Sequence, residues 1–156
     1  MMHVDARLAE LGITLPDVAA PVAAYVPAVR SGAFVYTSGQ LPFVDGALPE
    51  AGKVGLGDGL VSPDAAAGYA RQCALNALAA VKALVGSLDD VARVVKVVGF
   101  VASDPGFTGQ PGVINGASTV LGQIFGEEGV HARSAVGVAV LPLDSPVEVE
   151  LVVELR

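Results

Sequence analysis

Apolar positions recur at two different periods along this chain, and the changes of period mark its elements. Residues 4–11 read as a short amphipathic helix, ended by Gly12 and by Pro16 beyond it. Residues 17–31 alternate loosely around Pro21 and Pro27 and predict an extended edge strand, where proline is tolerated. Phe34-Val35-Tyr36-Thr37-Ser38 is β-branched and aromatic, follows the turn Ser31-Gly32, and ends or bends at Gly39-Gln40-Leu41-Pro42. The glycine-rich stretch 44–61 reads as a long surface loop with a short strand near Lys53-Val54-Gly55. Ser62-Pro63-Asp64 starts a helix with a serine cap, a proline at the first position and an acid in the first turn. It runs to about Val85, stops at Gly86, and carries a stripe of Leu75, Leu78, Val81 or Lys82, and Val85.

Ser87 caps a short turn, Leu88-Asp89-Asp90-Val91, and residues 92–102 predict a long apolar strand buried on both faces. After the turn Ser103-Asp104-Pro105-Gly106, residues 111–125 predict a further helix. Two strands close the chain: the apolar run Ala135 to Leu141, then, past Pro142 to Pro146, the acid-laced run Val147 to Glu154. The order β-β-(β)-α-β-α-β-β describes an α+β chain, with helices segregated from a mixed sheet. At 156 residues this is a single domain.

Composition changes that picture in one respect. Apolar residues make up 53% and charged residues only 16%, where about a quarter is usual. An oligomer that hides an apolar face would explain this, as would a bias toward alanine, glycine and valine. The net charge of −7 and the absence of any Lys/Arg cluster argue against nucleic-acid binding, which rests on neutralising phosphates. The single Cys73 excludes an internal disulfide and reads as a packed thiol. His3 and His131 have no metal-ligand spacing, so no metal is expected. The N-terminus reads as a helix rather than a secretory leader, and no run of 18 apolar residues appears. The expected compartment is the cytoplasm.

Candidate chemistry is sparse. The glycines of 44–61 neither follow a strand nor open a helix as a GxGxxG, so a phosphate cradle is rejected. Arg133, at the mouth of an apolar run, needs a partner: a protein acid such as Asp104 or Glu127, or a ligand. Glu148, Glu150 and Glu154 share one strand face by period two and also read as a solvated acidic face. A hairpin between the last two strands would set Glu148 beside Ala139 and Arg133 near Glu154. Spacing alone therefore builds no site.

Taken in order, Tyr25, Tyr36-Thr37-Ser38-Gly39-Gln40-Leu41-Pro42, Asn76-Ala77-Leu78-Ala79-Ala80-Val81, Asn115, Ala132-Arg133-Ser134-Ala135-Val136 and Val147-Glu148-Val149-Glu150 resemble the RidA family (YjgF-type proteins, often labelled L-PSP endoribonucleases). The resemblance runs from about Pro21 to Glu154. Ala135 in place of a common cysteine, the long glycine-rich loop and an N-terminal extension over residues 1–20 suggest a divergent subgroup. The resemblance implies a chorismate mutase-like α+β fold, two helices on one face of a mixed sheet, and a homotrimer. It implies that the last strand inserts between the first and middle strands. It also implies a site in the cleft between subunits that hydrolyses reactive 2-aminoacrylate-type enamines and imines to 2-oxo acids and ammonia, without cofactor. This is the chemistry of 2-iminobutanoate/2-iminopropanoate deaminases. Residue by residue, Arg133 would clamp the substrate carboxylate and Glu148 would hold or activate water. Tyr25, Ser38, Gly39 and Asn115 would line the pocket. The alternative is a non-catalytic trimer that binds small carboxylates or regulates a partner through the same cleft.

Overall fold

The computed structural model describes residues 3–18 and 23–156. In chain order the elements are α1 (Val4–Glu10), β1 (Ala28–Ser31), β2 (Phe34–Thr37), α2 (Pro63–Val85), β3 (Val91–Ala102), α3 (Gln110–Phe125), β4 (Ala132–Val138) and β5 (Val147–Leu155). The sheet order is β1-β2-β5-β3-β4. Strand β5 is antiparallel to both β2 and β3, and β4 is parallel to β3. The last strand thus lies between β2 and β3, as the resemblance implies, and the hairpin between the two closing strands does not form.

Local chemistry accounts for the helix ends. Ser62 Oγ accepts from the Ala65 N–H at 3.1 Å, and α2 stops at Gly86, whose φ of 92° suits a residue without a side chain. Helix α1 is docked by polar contacts. The Val4 N–H donates to Asp89 Oδ1 at 2.6 Å, Lys82 Nζ to Asp5 Oδ1 at 2.8 Å, and Arg7 Nε to the Gln123 carbonyl at 2.8 Å. Its buried residues, Val4 and Leu8, join the core.

Helices α2 and α3 cover one face of the sheet. Val35, Val94, Val97, Val101, Val147, Val149, Leu151 and Val153 point into that layer and are buried. Each fully buried valine or leucine contributes roughly 2 kcal/mol. The alanines of α2 let α3 come close: a Cβ on Gly116 would stand 1.9 Å from the Ala67 carbonyl oxygen. Cys73 is fully buried, as expected, and burial pushes its thiol well above the ordinary range, with the nearby charge of Glu148 adding to it.

Three expectations need correction. The extended segment 17–31 is a strand only over Ala28–Ser31, and its residues 19–22 lie outside the described residues. Pro27 has no N–H to give a ladder, and its carbonyl accepts from the Ser38 N–H at 2.8 Å instead. Strand β4 begins at Ala132 and ends at Val138, because its partner β3 ends at Ala102, the residue paired with Val138; Val140, past that end, is 66% exposed. Strand β3 is not buried on both faces. Val94, Val97 and Val101 are buried under the helices, but Val98 and Phe100 on the other face are half-buried and Arg93 is exposed.

The long loop is tied down at its middle rather than forming a regular strand. Val54 bridges to Val61 and Ser103, and Lys53 pairs with Asp144. Its beginning is held by Asn76, whose Nδ2 donates to the Leu41 and Phe43 carbonyls at 2.9 and 3.1 Å. Among the described residues no helix is long and apolar enough to cross a membrane.

Candidate functional site

The residues singled out in the sequence fall into two groups on opposite faces of the sheet. Arg133 pairs in register with Val97, and Val97 with Leu151, so Arg133 shares the face that carries the helices. Glu148 pairs with Phe100, which pairs in turn with Val136. It therefore stands level with Val136, three residues along from Arg133 and on the open face.

The first group is built by β4 and α3. Pro111, Asn115 and Ser118 recur at i, i+4 and i+7 on one flank of α3. Arg133 lies along that flank. Its Nη1 donates to Asn115 Oδ1 at 2.8 Å and to Ser118 Oγ at 3.2 Å, and its Nη2 to the Pro111 carbonyl at 3.4 Å. All three acceptors are neutral. Neither Asp104 nor Glu127 pairs with Arg133, and no described carboxylate lies within ion-pair distance of it. The Nε–H stays without a partner among the described residues and Nη2 makes only the one long bond, so the Nε–Nη2 side is the least engaged edge of the guanidinium. That edge is the fork that grips a carboxylate with two parallel hydrogen bonds. Asn115, read from sequence as a contact in the pocket, here holds the arginine.

The second group is built by β2, β5 and the segment before β1. Tyr25, Val26, Val29, Tyr36, Thr37 and Ser38 line an open cleft of about 440 Å³. Ser38 Oγ donates to the Val26 carbonyl at 2.6 Å, which commits its one proton and leaves its lone pairs to accept. Gly39 follows, and the Gln40 N–H donates to the Val149 carbonyl at 2.8 Å, fastening this segment to β5. A Cβ on Gly39 would stand 1.9 Å from Glu148 Oε1, so only glycine admits the carboxylate in this position. Burial, with the Glu150 charge second, raises the Glu148 carboxyl above the usual carboxylate range.

Two polar residues beside Arg133 are new to the site: Ser118, which the sequence reading passed over, and His131, which it weighed only as a metal ligand. Ser118 Oγ lies 2.8 Å from His131 Nε2, and His131 Nδ1 lies 2.6 Å from the Gly129 carbonyl. Helical spacing from Asn115 to Ser118, and the two-residue step from His131 to Arg133, were the signals that could have found them. Among the described residues no three of His, Cys, Asp and Glu gather as metal ligands.

Residues 5–155 match the family described as YjgF/chorismate mutase-like, putative endoribonuclease. The chain belongs to the YjgF/chorismate mutase-like family. Protein TCP17 of Trypanosoma cruzi is 48% identical over 155 residues, covering 99% of this chain and 95% of that protein. The crystal structure of Atu1372 from Agrobacterium tumefaciens, a protein of unknown function, is 45% identical, superposes with a TM-score of 0.87, and covers 98% of this chain and 92% of that one. TdcF of E. coli, solved with bound serine, is 26% identical with a TM-score of 0.63, over 92% of this chain and 95% of that one.

Proposed function

We propose that this YjgF-type chain hydrolyses small 2-imino acids and their enamine tautomers to 2-oxo acids and ammonia, in a cleft that two copies of a homotrimer complete. The observation that carries the reading is the Nε–Nη2 edge of Arg133, cationic, held only by neutral oxygens and left open to a planar carboxylate. The serine held by TdcF carries such a carboxylate, which supports the same reading. The opposite facing of Arg133 and Glu148 supports the shared cleft, because one chain alone does not bring them together.

The chemistry asks little of the protein. The imine carbon is already electrophilic, so fixing the carboxylate on Arg133 orients it for attack. Glu148 relays two protons to the imine nitrogen: the first from water as the C–O bond forms and the C=N π pair moves onto nitrogen, the second from the new hydroxyl as the C=O bond forms, the C–N bond breaks and ammonia leaves. Its raised pKa brings it nearer neutrality, where a group that both accepts and gives a proton works best. No metal or organic cofactor enters this scheme. The endoribonuclease label of the family fits this chain poorly, because a net charge of −7 opposes binding to a polyanion.

The test generates 2-aminoacrylate in situ and follows 2-oxo acid release. Wild type accelerates release, Arg133→Ala and Glu148→Gln do not, and no acceleration by wild type would sink the deaminase reading. A second reading, a non-catalytic carboxylate binder, rests on the placement of Arg133, whose Nε–Nη2 edge exists in a single chain without Glu148. It predicts that wild type binds a 2-oxo acid, that Arg133→Ala abolishes binding, and that Glu148→Gln leaves it unchanged.

A further inference from the structure

The hydrogen bonds around Arg133 do not end at its acceptors. The Gly129 carbonyl can only accept, so the proton of the neutral His131 ring is assigned to Nδ1 from this 2.6 Å contact. Nε2 then carries the lone pair, and its hydrogen-bond partner among the described residues is the Ser118 hydroxyl at 2.8 Å. Ser118 therefore donates its single proton to His131. With that proton committed, only lone pairs remain to face Arg133 Nη1 at 3.2 Å. The order is fixed end to end: Arg133 donates to Ser118, Ser118 to His131, and His131 to Gly129.

Both ends of this chain are fastened to the same helix. Ser118 belongs to α3, and Gly129 is buried against it, so closely that a Cβ there would stand 2.5 Å from the Leu121 carbonyl oxygen. The imidazole spans the gap between two fixed points, and a serine hydroxyl that could otherwise rotate is held in one orientation. Asn115 alone would leave Nη1 with a single side-chain acceptor, and the guanidinium held otherwise only by the long 3.4 Å bond from Nη2 to the Pro111 carbonyl.

Building on the carboxylate reading of Arg133, we infer that Ser118 and His131 are positioning residues. They hold Nη1 against α3, so that the Nε–Nη2 edge meets a small 2-oxo or 2-imino acid in one orientation. Neither residue touches the ligand, and each acts through Arg133.

The test measures 2-oxobutanoate affinity by titration calorimetry on the full chain, comparing wild type with Ser118→Ala, Ser118→Thr, His131→Asn and His131→Gln. Ser118→Ala weakens binding by about five- to tenfold, the scale of one hydrogen bond, and Ser118→Thr, which keeps the hydroxyl, restores it. His131→Asn keeps a donor for Gly129 but is too short for Ser118, and it weakens binding to the same degree. His131→Gln reaches Ser118 with an amide oxygen and recovers it, so the histidine pair decides the matter if Ser118→Ala does not fold. Wild-type affinity in both Ser118→Ala and His131→Asn overturns this inference and leaves the carboxylate reading standing. A loss that persists in both Ser118→Thr and His131→Gln marks packing rather than positioning and overturns it as well. No binding by wild type overturns the carboxylate reading and this inference together.

Discussion

Arg133 is anchored by three uncharged oxygens, which leaves its charge for a ligand while its geometry is set by the protein. Arg133→Lys therefore keeps the charge and loses the fork, and carboxylate affinity falls by about tenfold or more in a titration with 2-oxobutanoate. Glu148 behaves in the opposite sense toward stability. Its folded-state pKa is raised, so its ionised form costs stability above that pKa, and the cost disappears as pH falls below the usual carboxylate range. Glu148→Gln thus stabilises the fold at neutral pH by about 0.5 kcal/mol, a small gain because the half-exposed group is screened by solvent. Urea melts at neutral pH and at pH 4 check it, with the gain confined to the higher pH. At this scale the sequence pointed to Arg133, Asn115, Ser38, Gly39 and Glu148, but it could not say that Asn115 grips the arginine. That depends on which flank of α3 faces β4, and periodicity gives the flank but not the neighbour.

Helix ends were readable because their chemistry is local: the Ser62 cap, Gly86 past α2 and the Ser87 turn are each set by residues a few positions apart. Strand bounds were not, because a strand ends where its partner ends, and the partner of β4 is thirty-six positions earlier (132 − 96) in the sequence. The continuous apolar run of β3 likewise does not distinguish burial on one face from burial on two. The close passage of α3 over α2 was also hidden, and it gives a direct prediction. Gly116→Ala would drive a methyl into the Ala67 carbonyl, a backbone atom that cannot swing aside, and lowers stability by about 2 kcal/mol in denaturant unfolding. Gly39→Ala is different in kind. The obstructing atoms belong to the flexible end of Glu148, so the fold survives, while the displaced carboxylate costs 2-oxo acid release in the 2-aminoacrylate assay.

For the whole molecule, the two groups of site residues sit on opposite faces of one sheet, and β4 forms an edge of that sheet. The open face carries Phe34, Tyr36, Val98, Phe100, Val136 and Val152 beside Glu148, Glu150 and Glu154. An apolar face of this kind matches the low charge of the composition and suits a second copy of the chain. A shared cleft predicts complementation. Arg133→Ala and Glu148→Gln, each inactive alone, recover part of the wild-type rate when co-expressed, because some hybrid clefts combine an intact arginine with an intact glutamate. Recovery absent despite mixed oligomers would show that both residues act within one chain.

The split between the faces has a further consequence for how activity scales with the amount of protein. A site divided between copies does not exist in an isolated chain, so the rate per chain falls on dilution below the dissociation constant of the assembly. Under the shared-cleft reading, output at low abundance rises more steeply than in proportion to expression, and the fold itself sets a threshold dose below which reactive imines pass unchecked.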